Sequence, residues 1–330
     1  MTPCPQIDLL TIGEILIDFI SVGRTEGLRE VSTFRRHLGG SPANLALNVS
    51  RLGRDAAIVG KIGCGPFGQY LKEGLAQGGV CTDYVVMDSQ VRTSIVFVSQ
   101  TSGTPDFQPR RDSDYKLRPD EVPRAAIAAS SIVHTSTWPL SREPSRSAVL
   151  EALRAAGRAG KIVSLDPNYS PVVWPDHEEA QAVMREAYRS VTLTKASLDD
   201  AHRFFGPGYA PREYIQMFHE LGPETVVFTM GKEGSLLSEG GRLIGHLPTR
   251  EIEIVDATGA GDAFWAGFLV ALLDGGSLER CLLFAREVVE LKLRTVGALP
   301  DNFDRRVLYD RLPDLSTAFR GGDARPGAAL

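Results

Sequence analysis

The stretch "EIEIVDATGAGDAFWAGFLVALLDGG", residues 251–276, decides the fold class of this chain. Apolar residues alternate with acids over 251–255, which predicts a strand. Apolar residues then recur at helical spacing from Phe264 until Gly275 and Gly276, where glycines end the helix. A strand, a glycine turn and a helix in this order indicate an α/β protein.

The turn between the predicted strand and helix favours an anion. Gly259 and Gly261 in "DATGAGD" allow a backbone turn whose N–H groups converge, and the helix that starts near Asp262 adds its positive dipole end. Phosphate is the anion that such turns usually bind.

Asp262 follows this turn and has two interpretations. A first-turn acid is common and mildly stabilises a helix. A carboxylate at a phosphate site is otherwise repelled, so Asp262 also fits a base that takes the proton of an attacking hydroxyl. The helix end is expected to keep it ionised at neutral pH, and such a base contributes roughly 10²- to 10⁴-fold in rate.

Strand-like and helix-like runs alternate along most of the chain, which favours a mainly parallel sheet with helices on both faces. Two segments, at about 16–36 and 93–111, read instead as paired strands and predict a small separate sheet that covers a site. We expect one domain over residues 1–330, with a loose tail at 318–330 that is rich in Gly, Ala and Pro.

Composition limits the partners. The net charge is −5 and the basic residues are spread out, which argues against nucleic acid. The longest apolar run is too short to span a bilayer, and no signal peptide is visible. The four cysteines form no regular pattern and are expected to be reduced thiols, as in a cytoplasmic protein.

The stretch "GCGPFG", residues 63–68, spells a dinucleotide-binding G-x-G-x-x-G. Pro66 removes a backbone donor where a pyrophosphate would bind. The acid expected about 20 residues later could only be Asp83 or Asp88, and neither follows a strong apolar run. An NAD enzyme is therefore the weaker alternative.

Polar residues recur just after the predicted strands, where open α/β sheets bind their ligands. They are Glu14 and Asp18, Asp166 and Asn168, Lys195, Thr229 and Gly231, and the run from Asp256 to Asp262.

Two signatures resemble the ribokinase-like carbohydrate kinases of the phosphofructokinase B group. They are "DATGAGDAF" and "GGSPANLALNVSRLG", residues 39–53, and weaker likeness extends from about Ile7 to Pro300. The resemblance implies a Rossmann-like, doubly wound α/β domain with a small β lid, ATP as phosphoryl donor and Mg²⁺ as its partner. It also implies that Asp262 is the catalytic base, that the amides of Gly259, Ala260 and Gly261 form the anion hole, and that "GCGPFG" is a structural loop.

The resemblance further assigns binding residues. Sugar contacts are implied for Asp18, Gly39, Gly40, Asn44, Arg110, Asp166 and Asn168. Nucleotide contacts are implied for Lys195, Ser197, Thr229, Gly231 and Gly234 besides the anion hole, hydrated Mg²⁺ for Asp200, and an optional K⁺ site for Asp256 and Thr258. Two simpler interpretations stay open: Asn44 as a helix cap, and Arg110 as a solvated charge of the lid.

"LDPNYSPVVW", residues 165–174, is similar to the D-x-N-x-R-x-x-W segment of fructokinases and ketodeoxygluconate kinases. Ser170 replaces its arginine, and we interpret Trp174 as a core residue. Other departures from the family are Gly65 for an acid, Ser197 and Asp200 for Asn and Glu, and Arg286 and Glu287 beside the adenine pocket.

We therefore predict an ATP-dependent kinase that phosphorylates a primary hydroxyl of a monosaccharide, with a fructokinase-like substrate favoured. The alternatives are a 2-keto-3-deoxygluconate or 5-dehydro-2-deoxygluconate kinase, and a non-catalytic regulator that binds sugar or nucleotide. A neutral acceptor is expected because Ser170 cannot neutralise a carboxylate, unless Arg35 or Arg111 compensates. A homodimer through the lid is also expected.

Overall fold

The computed structural model describes residues 6–100, 106–255, 257–295, 299–300 and 303–319, without the side chains of Arg24, Gln100 and Ser316. The strands are β1 (Ile7–Ile12), β2 (Leu16–Arg24), β3 (Phe34–Gly39), β4 (Ala56–Gly63), β5 (Val85–Asp88), β6 (Ile95–Gln100), β7 (Phe107–Arg110), β8 (Ser130–Ser136), β9 (Ile162–Asp166), β10 (Leu193–Ser197), β11 (Thr225–Thr229), β12 (Ser235–Glu239) and β13 (Arg242–Leu247). The helices are α1 (Ser41–Arg51), α2 (Pro66–Gln77), α3 (Arg124–Ala129), α4 (Ser145–Arg158), α5 (His177–Tyr188), α6 (Leu198–Phe205), α7 (Pro211–Leu221), α8 (Ala260–Leu273), α9 (Leu278–Leu293), α10 (Arg306–Tyr309) and α11 (Leu315–Ala318).

The large sheet has the strand order β13-β12-β11-β10-β9-β8-β1-β4-β5. The pairs from β11 to β5 are parallel, whereas β12 and β13 add an antiparallel edge. The carboxyl ends of seven parallel strands therefore lie at the same edge of the sheet, namely those of β1, β4, β5, β8, β9, β10 and β11. The predicted fold class, a mainly parallel α/β sheet, is confirmed.

Successive residues of the strands pack into different cores. On β8, Ile132 belongs to the core with α1, α2, α8 and α9, while Val133 belongs to the core with α3 to α7. Because strand side chains alternate between the two faces of a sheet, these cores lie on opposite faces. Helices cover both faces, as the alternation of sequence runs predicts. Trp174 lies in the second core, as expected.

The second sheet, which we call the lid, has the order β3-β2-β6-β7 and confirms the predicted small separate sheet. Phe97 stacks on Phe19 at 5.4 Å between ring centroids and meets Phe34 edge-on at 5.2 Å. Phe67 of α2 contacts Phe19 at 5.8 Å, so these rings join the lid to the main domain. The turn at residues 101–105 lies outside the described residues.

Two sequence predictions are wrong. Residues 251–255 form no strand: the N–H of Val255 donates to the carbonyl of Leu293 at 2.8 Å, and Ile254 and Val255 are exposed. Alternation of apolar and polar residues indicates a period of two residues. It does not show that a neighbouring strand is present to pair with this segment. Cys81 is disulfide-bonded and so is not a reduced thiol, whereas Cys64 and Cys281 are free; spacing along the chain does not report distance in the fold.

None of the described helices is long and apolar enough to cross a membrane. The helix that contains the longest apolar run, α8, has 14 residues and is buried against α9. In the predicted tail, residues 320–330 lie outside the described part of the chain.

Candidate active site

The polar residues that follow the strands meet at the carboxyl edge of the large sheet. Asp166 ends β9, Ser197 ends β10 and Thr229 ends β11, and these three strands are parallel neighbours. The edge of an open α/β sheet at which parallel strands end is where ligands bind. Helix α8 begins at the same edge and carries Asp262.

The turn before α8 has the conformation that its glycines predict. Gly259 is the N-cap of α8 with φ 72°, in the left-handed region where a side chain is disfavoured. Ala260 and Gly261 are the first two helical residues. The N–H of Ala260 donates to the carbonyl of Ala257 at 3.1 Å, so this amide of the predicted anion hole already has a partner. The N–H of Gly261 has no partner within the helix, and together with the helix dipole it favours an anion at the turn.

Both carboxylate oxygens of Asp262 accept hydrogen bonds from α1. The Ser41 hydroxyl donates to Oδ1 at 2.8 Å, and the Asn44 amide donates to Oδ2 at 3.0 Å. The N-cap of α1 is Gly40, so Asn44 does not cap this helix. Sequence reasoning did not identify Ser41; its position in "GGSPAN", two residues after Gly39, was the signal available.

Burial and the polar neighbours of Asp262 have opposite effects on its pKa. Burial raises the pKa of Asp262, while the hydrogen bond from Ser41, the charge of Lys195 and the hydrogen bond from Asn44 counteract this rise. A carboxylate with a raised pKa is a stronger base than an exposed one. The surroundings of Asp262 are therefore suited to proton transfer.

Lys195 places a cation beneath the glycine turn. Its Nζ lies 2.5 Å from Asp166 Oδ2, and both side chains are buried. Burial by itself lowers the pKa of Lys195. The nearby carboxylates of Asp166 and Asp200 have the larger combined effect, so the pKa of Lys195 is raised. A Cβ added to Gly261 would lie 3.2 Å from Nζ, so the ammonium group lies directly against the turn.

A cavity of about 590 Å³ opens beside the first residue of the turn, and we call it the acceptor cavity. Asp18, Asn44, Thr258 and Gly259 are in its lining. Burial and the charge of Asp262 raise the pKa of Asp18 to about 7. This cavity contains two of the residues to which the resemblance assigns sugar contacts.

The two glycines before α1 allow close approach of Asp18 and Glu14. A Cβ on Gly39 would lie 2.2 Å from Asp18 Oδ2. Gly40 has φ 100°, and a Cβ there would lie 2.3 Å from the carbonyl oxygen of Glu14. The sequence assigns sugar contacts to both glycines, and the structure adds this close packing as a reason for them.

Glu14 is a buried acid that fixes the start of α1. Its Oε1 accepts the N–H of Ser41 at 3.1 Å, and the Ser136 hydroxyl donates to its carboxylate at 3.2 Å. Burial raises the pKa of Glu14 to about 8. Glu14 therefore holds the backbone of the residue whose hydroxyl contacts Asp262.

A second cavity of about 710 Å³ lies on the other side of the turn, and we call it the nucleotide cavity. One end is lined by glycines and small residues, namely Thr229, Gly231, Gly234, Ala260 and Gly261. The other end is apolar, with Pro248, Ile252, Phe264, Val289 and Leu293. A polar, glycine-rich end and an apolar end match the phosphates and the base of a nucleotide.

Arg250, Arg286 and Glu290 are among the charged residues that line the nucleotide cavity. Arg250 contacts the carboxylates of both Glu287 and Glu290. Arg286 donates to the carbonyl of Pro248 at 3.3 Å. Of the two departures noted above, Arg286 lines this cavity, and Glu287 belongs to the same ion-pair network.

Ser197 and Asp200 stabilise a local structure. The Ser197 hydroxyl accepts the N–H of Asp200 at 3.0 Å and caps α6, while Asp200 Oδ2 accepts the N–H of Ser197 at 3.1 Å. Asp200 Oδ1 accepts the N–H of Tyr169 at 2.9 Å. Among the described residues, His, Cys, Asp and Glu side chains form no group of three that could hold a metal. Asp256 lies outside the described residues.

Neither Asn168 nor Arg110 lines the acceptor cavity. Asn168 is exposed with φ 38°, and its N–H donates to Asp166 Oδ1 at 3.2 Å. Arg110 ends β7 and lines a separate cavity with Val172, which follows Ser170 in the loop after β9. The Ser170 hydroxyl accepts the N–H of Val172 at 3.3 Å, so it supports this loop.

The "GCGPFG" stretch joins β4 to α2 through close backbone contacts. A Cβ on Gly63 would lie 2.6 Å from the carbonyl oxygen of Val91, and one on Gly68 would lie 1.8 Å from the carbonyl oxygen of Gly63. Thr93 Oγ1 accepts the N–H of Gly63 at 3.2 Å. These contacts support the interpretation as a structural loop.

Comparisons with known proteins agree with this geometry. The sequence pattern of the pfkB family carbohydrate kinases matches residues 6–303. An ATP-dependent 6-phosphofructokinase from Thermoanaerobacterium thermosaccharolyticum is 36% identical over 94% of this chain and 92% of its own length. The structure of Halothermothrix orenii fructokinase is 36% identical, with a TM-score of 0.76 over 89% of this chain and 100% of that one. A sugar kinase from Pyrococcus horikoshii in complex with ATP is 30% identical, with a TM-score of 0.79 over 88% and 93% of the chains.

Proposed function

Because this chain belongs to the pfkB family of carbohydrate kinases, we propose that it transfers the γ-phosphoryl group of ATP to a primary hydroxyl of a fructose-type monosaccharide. The ATP complex of the P. horikoshii sugar kinase supports ATP as the donor. The names of two relatives, a fructokinase and a 6-phosphofructokinase, support a fructose skeleton in the acceptor.

A single observation carries the proposal: the glycine turn separates two cavities and borders both. Gly259 lines the acceptor cavity, while Ala260 and Gly261 line the nucleotide cavity. Asp262 follows directly and accepts a hydrogen bond from Asn44 in the acceptor cavity. A phosphoryl group that passes between the two ligands would cross the N–H groups of this turn.

The reaction follows from these positions. The acceptor hydroxyl oxygen forms a bond to the γ-phosphorus, the bond between that phosphorus and the ADP oxygen breaks, and Asp262 takes the hydroxyl proton. Since a sugar hydroxyl is a very weak acid, the proton leaves as the oxygen attacks. Most of the rate then comes from positioning and charge stabilisation, with the base contributing about 10²- to 10⁴-fold.

The transferred group is stabilised by the turn and by Lys195. The N–H of Gly261 and the dipole of α8 would stabilise the anion, and Lys195 lies beside Gly261. Each such donor contributes about 3 to 4 kcal/mol to the transition state. Asp200 would hold hydrated Mg²⁺ through water, and the ion would supply positive charge beside the phosphates.

The alternatives differ in what they bind. A 2-keto-3-deoxygluconate or 5-dehydro-2-deoxygluconate kinase shares the site and differs in the acceptor. A regulator that binds ligand without turnover has no need for a base held by two donors, so the contacts of Ser41 and Asn44 with Asp262 favour an enzyme. K⁺ near Thr258 and a homodimer through the lid stay predictions.

A coupled ADP-release assay across a sugar panel tests the proposal. We expect ADP release with Mg-ATP that depends on a fructose-type sugar, and none above background without sugar. A thermal-shift experiment complements it, because a ligand bound by the native state raises Tm: Mg-ATP is expected to raise it and NAD is not. Stabilisation by NAD alone, or ligand binding without ADP release from any sugar, would contradict the proposal.

A further inference from the structure

The start of α8 is joined to β9 by a buried hydrogen bond. The indole Nε1–H of Trp265 donates to the hydroxyl of Ser164 at 3.0 Å, and both residues are buried. Ser164 lies in β9, whereas Trp265 lies in α8, three positions after Asp262. Residues three positions apart are neighbours on the surface of a helix. The hydrogen bond therefore acts on the part of α8 that carries the proposed base.

His134 on β8 fixes the direction of the Ser164 hydroxyl. Its Nδ1 lies 2.8 Å from Ser164 Oγ, and the two residues are register partners in the parallel pair of β8 and β9. Burial, together with the charge of Lys195, lowers the pKa of His134 to about 3, so the imidazole is neutral at neutral pH. Since an indole N–H can only donate, Ser164 accepts from Trp265, and we assign its own hydrogen to Nδ1 of His134.

Strand β9 holds the start of α8 at a second point as well. Asp166 lies two positions after Ser164 on this strand, so both side chains face the same side of the sheet. Asp166 pairs with Lys195 at 2.5 Å, and the Lys195 ammonium lies against Gly261. The first turns of α8 are therefore fixed to β9 directly through Trp265 and indirectly through Lys195.

Apolar packing alone does not fix the rotation of α8 about its axis. Residues 263–271 of this helix are all buried. Apolar contacts have no preferred direction, and Gly259 and Gly261 give the backbone at the helix start much conformational freedom. A hydrogen bond has a preferred direction, so the contact between Trp265 and Ser164 selects one rotation of the helix.

We propose that Ser164 and Trp265 are positioning residues of the phosphoryl transfer. Their hydrogen bond holds the start of α8, so that Asp262 and the N–H of Gly261 meet the reacting groups in the productive geometry. This inference rests on the proposed function. Neither Ser164 nor Trp265 lines the acceptor cavity or the nucleotide cavity, so both act through α8 and not by contact with a ligand. A displacement of the reacting groups by about 1 Å can slow a reaction by about 10²-fold.

The test measures kcat and the dissociation constants of ATP and sugar in Trp265→Phe, in Ser164→Ala and in the double variant. Phenylalanine keeps an aromatic ring in the core and removes the N–H donor, while alanine removes the acceptor. Tyr188→Phe is the matched control, because the Tyr188 hydroxyl makes a buried hydrogen bond of 3.0 Å with Thr194 Oγ1 in the core on the opposite face of the sheet. Tm values check that each variant folds. If Ser164→Ala does not fold, Trp265→Phe carries the test.

We expect kcat of each single variant to fall by at least about tenfold, with both dissociation constants nearly unchanged. The double variant should be as slow as Ser164→Ala, because the two substitutions remove the same hydrogen bond. Tyr188→Phe should retain the wild-type kcat. A wild-type kcat in the single variants, an equal loss in Tyr188→Phe, or independent losses that multiply in the double variant would each overturn the inference while the proposed function stands.

Hydrogen exchange gives a second readout that does not need turnover. The amides of residues 260–266 should exchange faster in Trp265→Phe and in Ser164→Ala than in the wild type, and at the wild-type rate in Tyr188→Phe. If no sugar releases ADP from the wild type, the proposed function fails, and exchange alone decides whether the hydrogen bond holds the start of α8. Faster exchange in both variants then supports this role, whereas unchanged exchange overturns it.

Discussion

The Ser41 hydroxyl lies 2.8 Å from Oδ1 of Asp262 and donates a hydrogen bond to it, although 221 positions separate the two residues in the sequence. Glu14 in turn holds the backbone N–H of Ser41 at 3.1 Å. A buried carboxyl group between β1 and β2 therefore positions the residue whose hydroxyl contacts the proposed base.

Ser41→Ala should move the pH profile of the enzyme. The Ser41 hydroxyl stabilises ionised Asp262 and lowers its pKa, so its loss raises that pKa and shifts the acid limb of kcat/KM to higher pH. A hydrogen bond to a charged group contributes about 1.5 kcal/mol, which corresponds to about one pH unit. Ser41→Thr keeps the hydroxyl and should retain the wild-type limb. Identical limbs in wild type and Ser41→Ala would show that this hydrogen bond does not act on the base.

Gly39→Ala should weaken acceptor binding. The new Cβ would lie 2.2 Å from Asp18 Oδ2 and displace this carboxylate from the acceptor cavity. Overpacking of this kind costs about 1 to 3 kcal/mol, so kcat/KM for the sugar should fall by about tenfold or more. The affinity for ATP, measured by titration calorimetry, should not change. The control is Gly65→Ala, since a Cβ there meets nothing within 4 Å.

Lys195→Met should destabilise the fold as well as stop turnover. Removal of one partner from a buried ion pair leaves Asp166 without its cation and costs about 3 kcal/mol. In the double variant Asp166→Asn with Lys195→Met, most of this free energy of unfolding should return, while turnover stays low because the anion site still lacks its cation. Denaturant unfolding and ADP release measure the two effects. Equal destabilisation in the single and double variants would contradict a pairing role.

Glu14 should make stability depend on pH. Burial raises its pKa from 4.5 to about 8. Between these values the unfolded chain has lost the proton that the native protein keeps, so the free energy of unfolding falls as pH rises from about 5 to 8 and then levels. The full loss of free energy of unfolding is about 5 kcal/mol. Glu14→Gln should flatten this decline, whereas Glu151→Gln on the exposed surface should not. If the free energy of unfolding of Glu14→Gln falls with pH as steeply as that of the wild type, Glu14 is not the source of the decline.

The sequence predicts the fold better than it predicts the acceptor. Buried runs and glycine turns report local structure, so the parallel sheet, α8 and the lid follow from them. The strand prediction for residues 251–255 is wrong because the period of the apolar residues cannot show that a neighbouring strand exists. The "DATGAGD" motif predicts Asp262 and its turn because their chemistry lies within seven consecutive residues.

The contacts that sequence reasoning misses join distant segments. Ser41 reaches Asp262 because α1 packs beside α8, although the two helices are far apart in the sequence. Likewise, Trp265 of α8 donates to Ser164 of β9 across 101 positions of the sequence. Such groups of residues form only in the folded protein, and no regular spacing in the sequence indicates them.

Asp262→Asn tests the central claim most directly, because it removes the proposed base while keeping the size of the side chain. We predict that kcat for ADP release falls by at least about 10²-fold, with the dissociation constants of ATP and sugar nearly unchanged. Asp83→Asn, at an exposed aspartate before β5, is the matched control and should retain wild-type kcat. A near-normal kcat in Asp262→Asn would contradict the account.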